Sequence, residues 1–188
     1  VAEIRTIAVI GAGTLGRGIA YASALGGYRT ILEDILPGSL RAAAAEMRGH
    51  LAKAATLGTI NSTEAEAAFL RIEYASTVEQ AAREADLVIE SVPDEMESKL
   101  EILTLLDKIC KPATILACNT FSLSVTEIAS VTYRARKILG MRFANPVSEM
   151  KRLEIIRAQE TDEETITACA DVGRRMGKEV VVVKERLS

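Results

Sequence analysis

Short apolar runs alternate with longer amphipathic stretches from one end of the chain to the other. Ile4, Ile7, Val9 and Ile10 make up the first run, short and β-branched as a buried strand should be. It leads into Gly11-Ala-Gly-Thr-Leu-Gly16 and then into an Ala/Ile-rich stretch, Leu15 to about Leu25, patterned as a helix. A second strand, Thr30 to Leu32, ends at Glu33-Asp34. Pro37-Gly38 breaks that strand, Ser39 is placed to cap a long Ala-rich helix to about Leu57, and Gly58 closes the helix. Asn61-Ser-Thr-Glu64 has capping-box spacing for a second helix through Ala68, so residues 39–70 read as a helical hairpin inserted into the alternation.

Further strands are predicted over Ile72–Ala75, over Leu87–Ile89 with Glu90 at its end, and over Thr114–Cys118, Ile138–Phe143, Leu153–Arg157 and Val180–Val183. Between them fall a short helix capped by Thr77, and a helix from Met96 to Cys110 striped by Leu100, Leu103, Leu106 and Ile109. Ser124 opens another helix, and a last one runs from Thr161-Asp-Glu-Glu164 to Met176. Strands alternating with helices throughout predict an α/β fold with a mostly parallel, doubly wound sheet, in one domain spanning 1–188.

The first turn carries candidate chemistry. Gly11 permits a sharp bend, Gly13 lets a ligand approach the backbone, and Gly16 lets helix pack on strand. The helix start, Thr14 and Leu15 included, offers unpaired amides and a partial positive charge suited to a diphosphate. Asp34 closes the next strand about 20 residues on, where an acid can accept hydrogen bonds from a ribose. In such sheets ligands lie beyond the carboxyl ends of the strands, which makes Asp34, Glu90, Asp94, Asn119, Arg142 and Asn145 the site candidates, with Lys99 close to Asp94 in sequence.

Composition narrows the classes. Net charge is −3 and aromatics are 4% of 188 residues, against the basic field and stacking rings of a nucleic-acid surface. Cys110, Cys118 and Cys169 have neither disulfide-framework nor zinc spacing, which fits a reduced, cytoplasmic setting. Glu3 and Arg5 argue against an N-terminal signal segment, and no apolar run approaches membrane-spanning length. His50, the single histidine, lies on a predicted helix and reads as a surface or packing residue.

Several motifs in fixed order carry a family resemblance: the glycine turn, Asp86-Leu-Val-Ile-Glu-Ser-Val, Ala117-Cys-Asn-Thr, Asn145-Pro-Val and Met150-Lys-Arg-Leu-Glu154. Together they resemble the NAD-binding domain of the 3-hydroxyacyl-CoA dehydrogenases, over essentially the whole chain. The resemblance implies a Rossmann-type domain, NAD as cofactor, an acyl-CoA or hydroxyacid substrate, and a place in fatty acid metabolism. It also implies a following helical domain that closes the substrate cleft and dimerises. The chain stops at Ser188, where that domain would begin, so the helical domain is expected to be absent and a homodimer to form only where it is present. By position, Asp34 matches the ribose acid, Asp94 an acidic cofactor contact, and Lys99 a lysine near the cofactor and the CoA phosphates. Asn119 matches the asparagine that orients substrate and histidine, Asn145 the asparagine after the catalytic strand, and Glu154 the partner of the catalytic histidine.

Two positions depart from that pattern. The family's Gly-Leu-His-Phe-Phe-Asn-Pro is Gly140-Met-Arg142-Phe-Ala-Asn145-Pro146 here, and its Asn-Thr-Ser-Ser is Asn119-Thr-Phe121-Ser122. Arginine stays protonated and has no acceptor, so Arg142 cannot take the hydroxyl proton; an Arg142–Glu154 ion pair is the expected replacement. Three readings follow: a dehydrogenase with rebuilt or weak catalysis, a non-catalytic NAD-binding protein or partner subunit, and a hydroxyacid dehydrogenase sharing only the first motif. The ordered later motifs weigh against the third.

Overall fold

The computed structural model describes residues 3–185, so Ser188 lies outside it. Eight strands form a single sheet in the order β3-β2-β1-β4-β5-β6-β7-β8. They are β1 (Thr6–Ile10), β2 (Arg29–Glu33), β3 (Ile72–Ala75), β4 (Leu87–Glu90), β5 (Ile115–Cys118), β6 (Ile138–Phe143), β7 (Arg152–Arg157) and β8 (Glu179–Lys184). Every neighbouring pair is parallel except β6 and β7, which run antiparallel with Arg142 opposite Glu154.

Both faces of the sheet are covered, as parallel strands require. Ile7 and Val9 point into a core shared with α1 (Thr14–Leu25), α2 (Pro37–Thr56), α3 (Ser62–Leu70) and α7 (Glu163–Arg175). Ala8 and Ile10 point the other way, toward α4 (Val78–Ala82), α5 (Met96–Ile109) and α6 (Val125–Ala129). This is the doubly wound arrangement that the alternation predicts, and it collects the carboxyl ends of β1, β2, β4 and β5 along one edge.

Capping follows the sequence at most helix starts. Asn61 and Glu64 form the full capping box on α3, while Thr77 and Ser124 cap α4 and α6 through one hydrogen bond each. The start of α2 differs from expectation. Pro37 begins the helix and Ser39 lies inside it, because proline at the first helical position has its φ already set and no amide to leave unpaired. On α5 the core-facing seam is Lys99, Leu103 and Leu106, followed by the buried C-cap Cys110, and it is displaced from the Leu100–Ile109 stripe that hydrophobicity alone marks out. A lysine therefore occupies a core position of that helix.

Candidate functional site

At the end of β1 the chain turns through Gly11, whose φ of +99° suits glycine, and the Gly11 amide donates to the Glu33 carbonyl at 2.9 Å. A Cβ on Gly16 would lie 1.8 Å from the Gly11 carbonyl oxygen, so only glycine lets α1 start this close to β1. Gly13 is different: a Cβ there would meet nothing within 4 Å, because the residue faces open cleft. Gly13 is also the N-cap of α1, no side chain caps that end, and no acid lies in its first turn. Free amides, a positive helix end and room above them form a cradle that fits a diphosphate.

Asp34 is fixed at the lip of this cradle by two amides, from Ala12 to Oδ2 at 2.9 Å and from Leu36 to Oδ1 at 2.8 Å. A carboxylate has about four acceptor positions, so two remain for ribose hydroxyls. The cradle opens into a cleft of about 1030 Å³ along the carboxyl ends of the strands, and Asp94, Asn119 and Phe121 line its far part.

Beneath the cleft lies a buried ion pair. Lys99 Nζ reaches Glu90 Oε1 at 2.8 Å and Oε2 at 3.1 Å, and donates to the Asn119 carbonyl at 2.9 Å. Its side chain is 0% exposed and that of Glu90 1%. The resemblance places Lys99 near the cofactor and the CoA phosphates; here its ammonium lies beneath the cleft floor, sealed among carbonyls and the Glu90 carboxylate and 3.8 Å from the cleft-lining Asp94. Burial, the strongest influence on the Glu90 carboxyl, pushes it up to about 7 against the pull of Lys99 and the Val92 amide. The pair ties the loop after β4 to the loop after β5. Asp94 joins the same two loops by accepting from the Phe121 amide at 3.1 Å. Burial acts to raise the Asp94 carboxyl, but hydrogen bonds from Thr120 and Phe121, with the Lys99 charge, hold it below the ordinary range.

Asn119 is buried against the same pair, its Oδ1 3.5 Å from the Phe143 amide. Arg142 lies behind Phe121, outside the lining of the main cleft, with its guanidinium carbon 6.0 Å from the ring centre. Its Nη1 pairs with Glu154 Oε2 at 2.9 Å, and its Nε donates to the Thr120 carbonyl at 2.9 Å. The other Glu154 oxygen takes Arg152 at 2.7 Å. Hydrogen bonding from Arg152 first, and the charge of Arg142, hold Glu154 below the ordinary carboxylate range despite partial burial. Arg152 escaped the sequence reading, although residues two apart on a strand share a face and Glu154 was already singled out. Asn145 opens on a smaller crevice between α1, α2 and the β6–β7 loop, shared with His50, which packs edge-on to Tyr21 at 5.9 Å.

An open glycine turn at an uncapped helix start, an anchored acid ending β2 and a cleft at the point where strand order reverses define a dinucleotide-binding doubly wound domain. Residues 6–186 match the family described as 3-hydroxyacyl-CoA dehydrogenase, NAD binding domain, and the chain belongs to it; its cofactor is NAD. It is 41% identical over 183 residues to a probable 3-hydroxybutyryl-CoA dehydrogenase of Bacillus subtilis, covering 97% of this chain and 63% of that one. Against the 3-hydroxybutyryl-CoA dehydrogenase of Clostridioides difficile it is 38% identical, covering 95% of this chain and 63% of that one. The crystal structure of (S)-3-hydroxybutyryl-CoA dehydrogenase from Ralstonia eutropha superposes with a TM-score of 0.93 at 32% identity, covering 98% of this chain and 65% of that one. The chain thus spans somewhat under two thirds of the length of these relatives. No helix among the described residues is long and apolar enough to cross a membrane.

Proposed function

We propose that this chain is the cofactor-binding part of a cytoplasmic, NAD-dependent oxidoreductase of the 3-hydroxyacyl-CoA dehydrogenase type, acting on a 3-hydroxyacyl thioester or related hydroxyacid. The observation that carries the reading is the open Gly13 cradle beside the amide-anchored Asp34. Gly11, Gly13, Thr14, Leu15 and Gly16 hold the diphosphate and Asp34 the ribose. Asp94 and Asn119 border the nicotinamide end, while Lys99 acts from below by fixing their loops. NAD, when bound, supplies the hydride acceptor for oxidation of a hydroxyl carbon.

The proton side of that oxidation is where this chain differs from the resemblance. Arg142 is permanently charged and has no lone pair to accept a proton. Glu154 is held between two arginines, which makes it a poor base as well. Arg142 therefore acts as a hydrogen-bond donor to an oxygen or carboxylate of the substrate, and the hydroxyl proton leaves to water. Losing a general base costs about 10²- to 10⁴-fold, so turnover of simple acyl-CoA substrates is expected to be weak. The locked arginine–carboxylate–arginine cluster also favours a second reading, a catalytically degenerate NAD-binding protein or partner subunit. Homodimers are expected only through a C-terminal helical domain.

The test is NADH-dependent reduction of acetoacetyl-CoA by the full-length protein and by its Arg142→His, Phe121→Ser double variant. Slow wild-type turnover with a gain of at least about tenfold in the variant supports the dehydrogenase reading. Turnover in the wild type equal to an ordinary dehydrogenase refutes the role given to Arg142, and no gain in the variant favours the degenerate one.

A further inference from the structure

Glu33 is the last residue of β2, next to Asp34 in the chain, and successive strand residues face opposite sides of a sheet. Asp34 turns toward the Ala12 amide, and Glu33 toward the compartment of the cleft lined by Ser76–Glu79 of the α4 end and by Ile102 and Leu105 of α5. Glu33 is only 5% exposed. No cation pairs with its carboxylate among the described residues; the Gly11 amide is its one favourable neighbour. The ionisable groups lining the cleft are Glu33, Asp34, Glu79 from α4 and Asp94 from the loop after β4, with no lysine, arginine or histidine among the described lining residues. Glu79 is paired with Arg83, and Asp34 accepts two amides, so Glu33 carries the least compensated charge at the adenosine end.

We propose that Glu33 is a second specificity-determining residue of the cofactor site, acting with Asp34 to exclude dinucleotides phosphorylated on the adenosine ribose. The proposal rests on the reading of the cleft as an NAD site. A 2′-phosphate on a ribose held by Asp34 brings about 1.5 to 2 negative charges into the same cleft that Glu33 lines, where no cation among the described lining residues offsets them. Glu33 escapes this repulsion only by taking a proton. Burial first, and then the Asp34 charge, pushes its carboxyl up to about 7, so at pH 8 that escape weakens binding by about tenfold. Asp34 alone then does not set the preference, and neutralising Asp34 does not by itself admit the phosphorylated cofactor.

The experiment is titration of the purified chain with NADH and with NADPH at pH 8, followed by nicotinamide fluorescence, in wild type, Glu33→Gln and Glu33→Met, with folding checked by circular dichroism. The expected result is NADPH affinity raised about tenfold in both neutral variants, with NADH affinity changed less than about twofold. Unchanged NADPH affinity, or equal shifts for both cofactors, overturns the proposal; the latter would mean that Glu33 merely shapes the Gly11 turn. A folded wild-type chain that binds neither cofactor refutes the NAD-site reading itself, a distinct result. Two neutral side chains of similar length guard against one of them failing to fold.

Discussion

Replacing Lys99 by methionine tests whether the buried pair holds the floor of the site. Methionine nearly fills the lysine stem's volume but leaves Glu90 without its cation, and the Asn119 carbonyl without a donor at 2.9 Å. Removing one partner of a buried pair costs about 3–5 kcal/mol. The low end, about 3, is expected here because burial already pushes the Glu90 carboxyl up to about 7, so a proton can take part of the lysine's place. A loss of that size lowers the melting temperature by about 6–12 °C in a chain of this length.

The pH dependence has a definite sign. Without Lys99 the folded-state pKa of Glu90 rises further above about 7, so the charge part of the penalty is absent while Glu90 is protonated in both folded forms and grows as pH rises above about 7. Urea denaturation followed by circular dichroism at pH 5 and pH 8 measures both effects, with Lys99→Met/Glu90→Gln as the companion variant. The double variant should recover at least about 1 kcal/mol at pH 8. A single-variant loss under about 1 kcal/mol, or one equal at the two pH values, would refute the view of this pair as a charged tie between the two loops.

Two further substitutions separate packing from binding in the glycine turn. Gly16→Ala drives a methyl group to 1.8 Å from the Gly11 carbonyl oxygen and should unfold or strongly destabilise the chain. Gly13→Ala meets nothing within 4 Å, so melting temperature should hold while NADH affinity by fluorescence falls at least about tenfold, as a methyl group fills the diphosphate space. For Glu33, whose folded pKa of about 7 exceeds its unfolded value, the favourable contribution is complete below about pH 4.5 and lost as pH rises through 7. Glu33→Gln should therefore gain about 1–3 kcal/mol of stability at pH 8 by urea denaturation, and nothing at pH 4.5.

The order of strands and helices was readable because each element announces itself locally. A three-residue apolar run such as Leu87–Ile89 or a box such as Asn61-Ser-Thr-Glu64 needs no distant partner to be recognised. The glycine turn was readable for the same reason. What escaped depends on contacts between elements. Period-two alternation tells that Glu33 and Asp34 face opposite ways, but not that both sides are walled. Lys99 sits at core-facing spacing with Leu103 and Leu106, yet only a buried acid on another strand shows that its ammonium is sealed beneath the cleft. Pro37 shows the reverse case: a residue taken as a strand breaker turns out to start a helix.

The bond between Arg142 and Glu154 has a consequence for acid sensitivity. An imidazole would gain and lose charge near neutrality; a guanidinium clamped to a carboxylate that is itself kept ionised by Arg152 does neither. The corner made by Arg142 and Glu154 thus keeps the same electrical character whether its surroundings are mildly acidic or mildly alkaline.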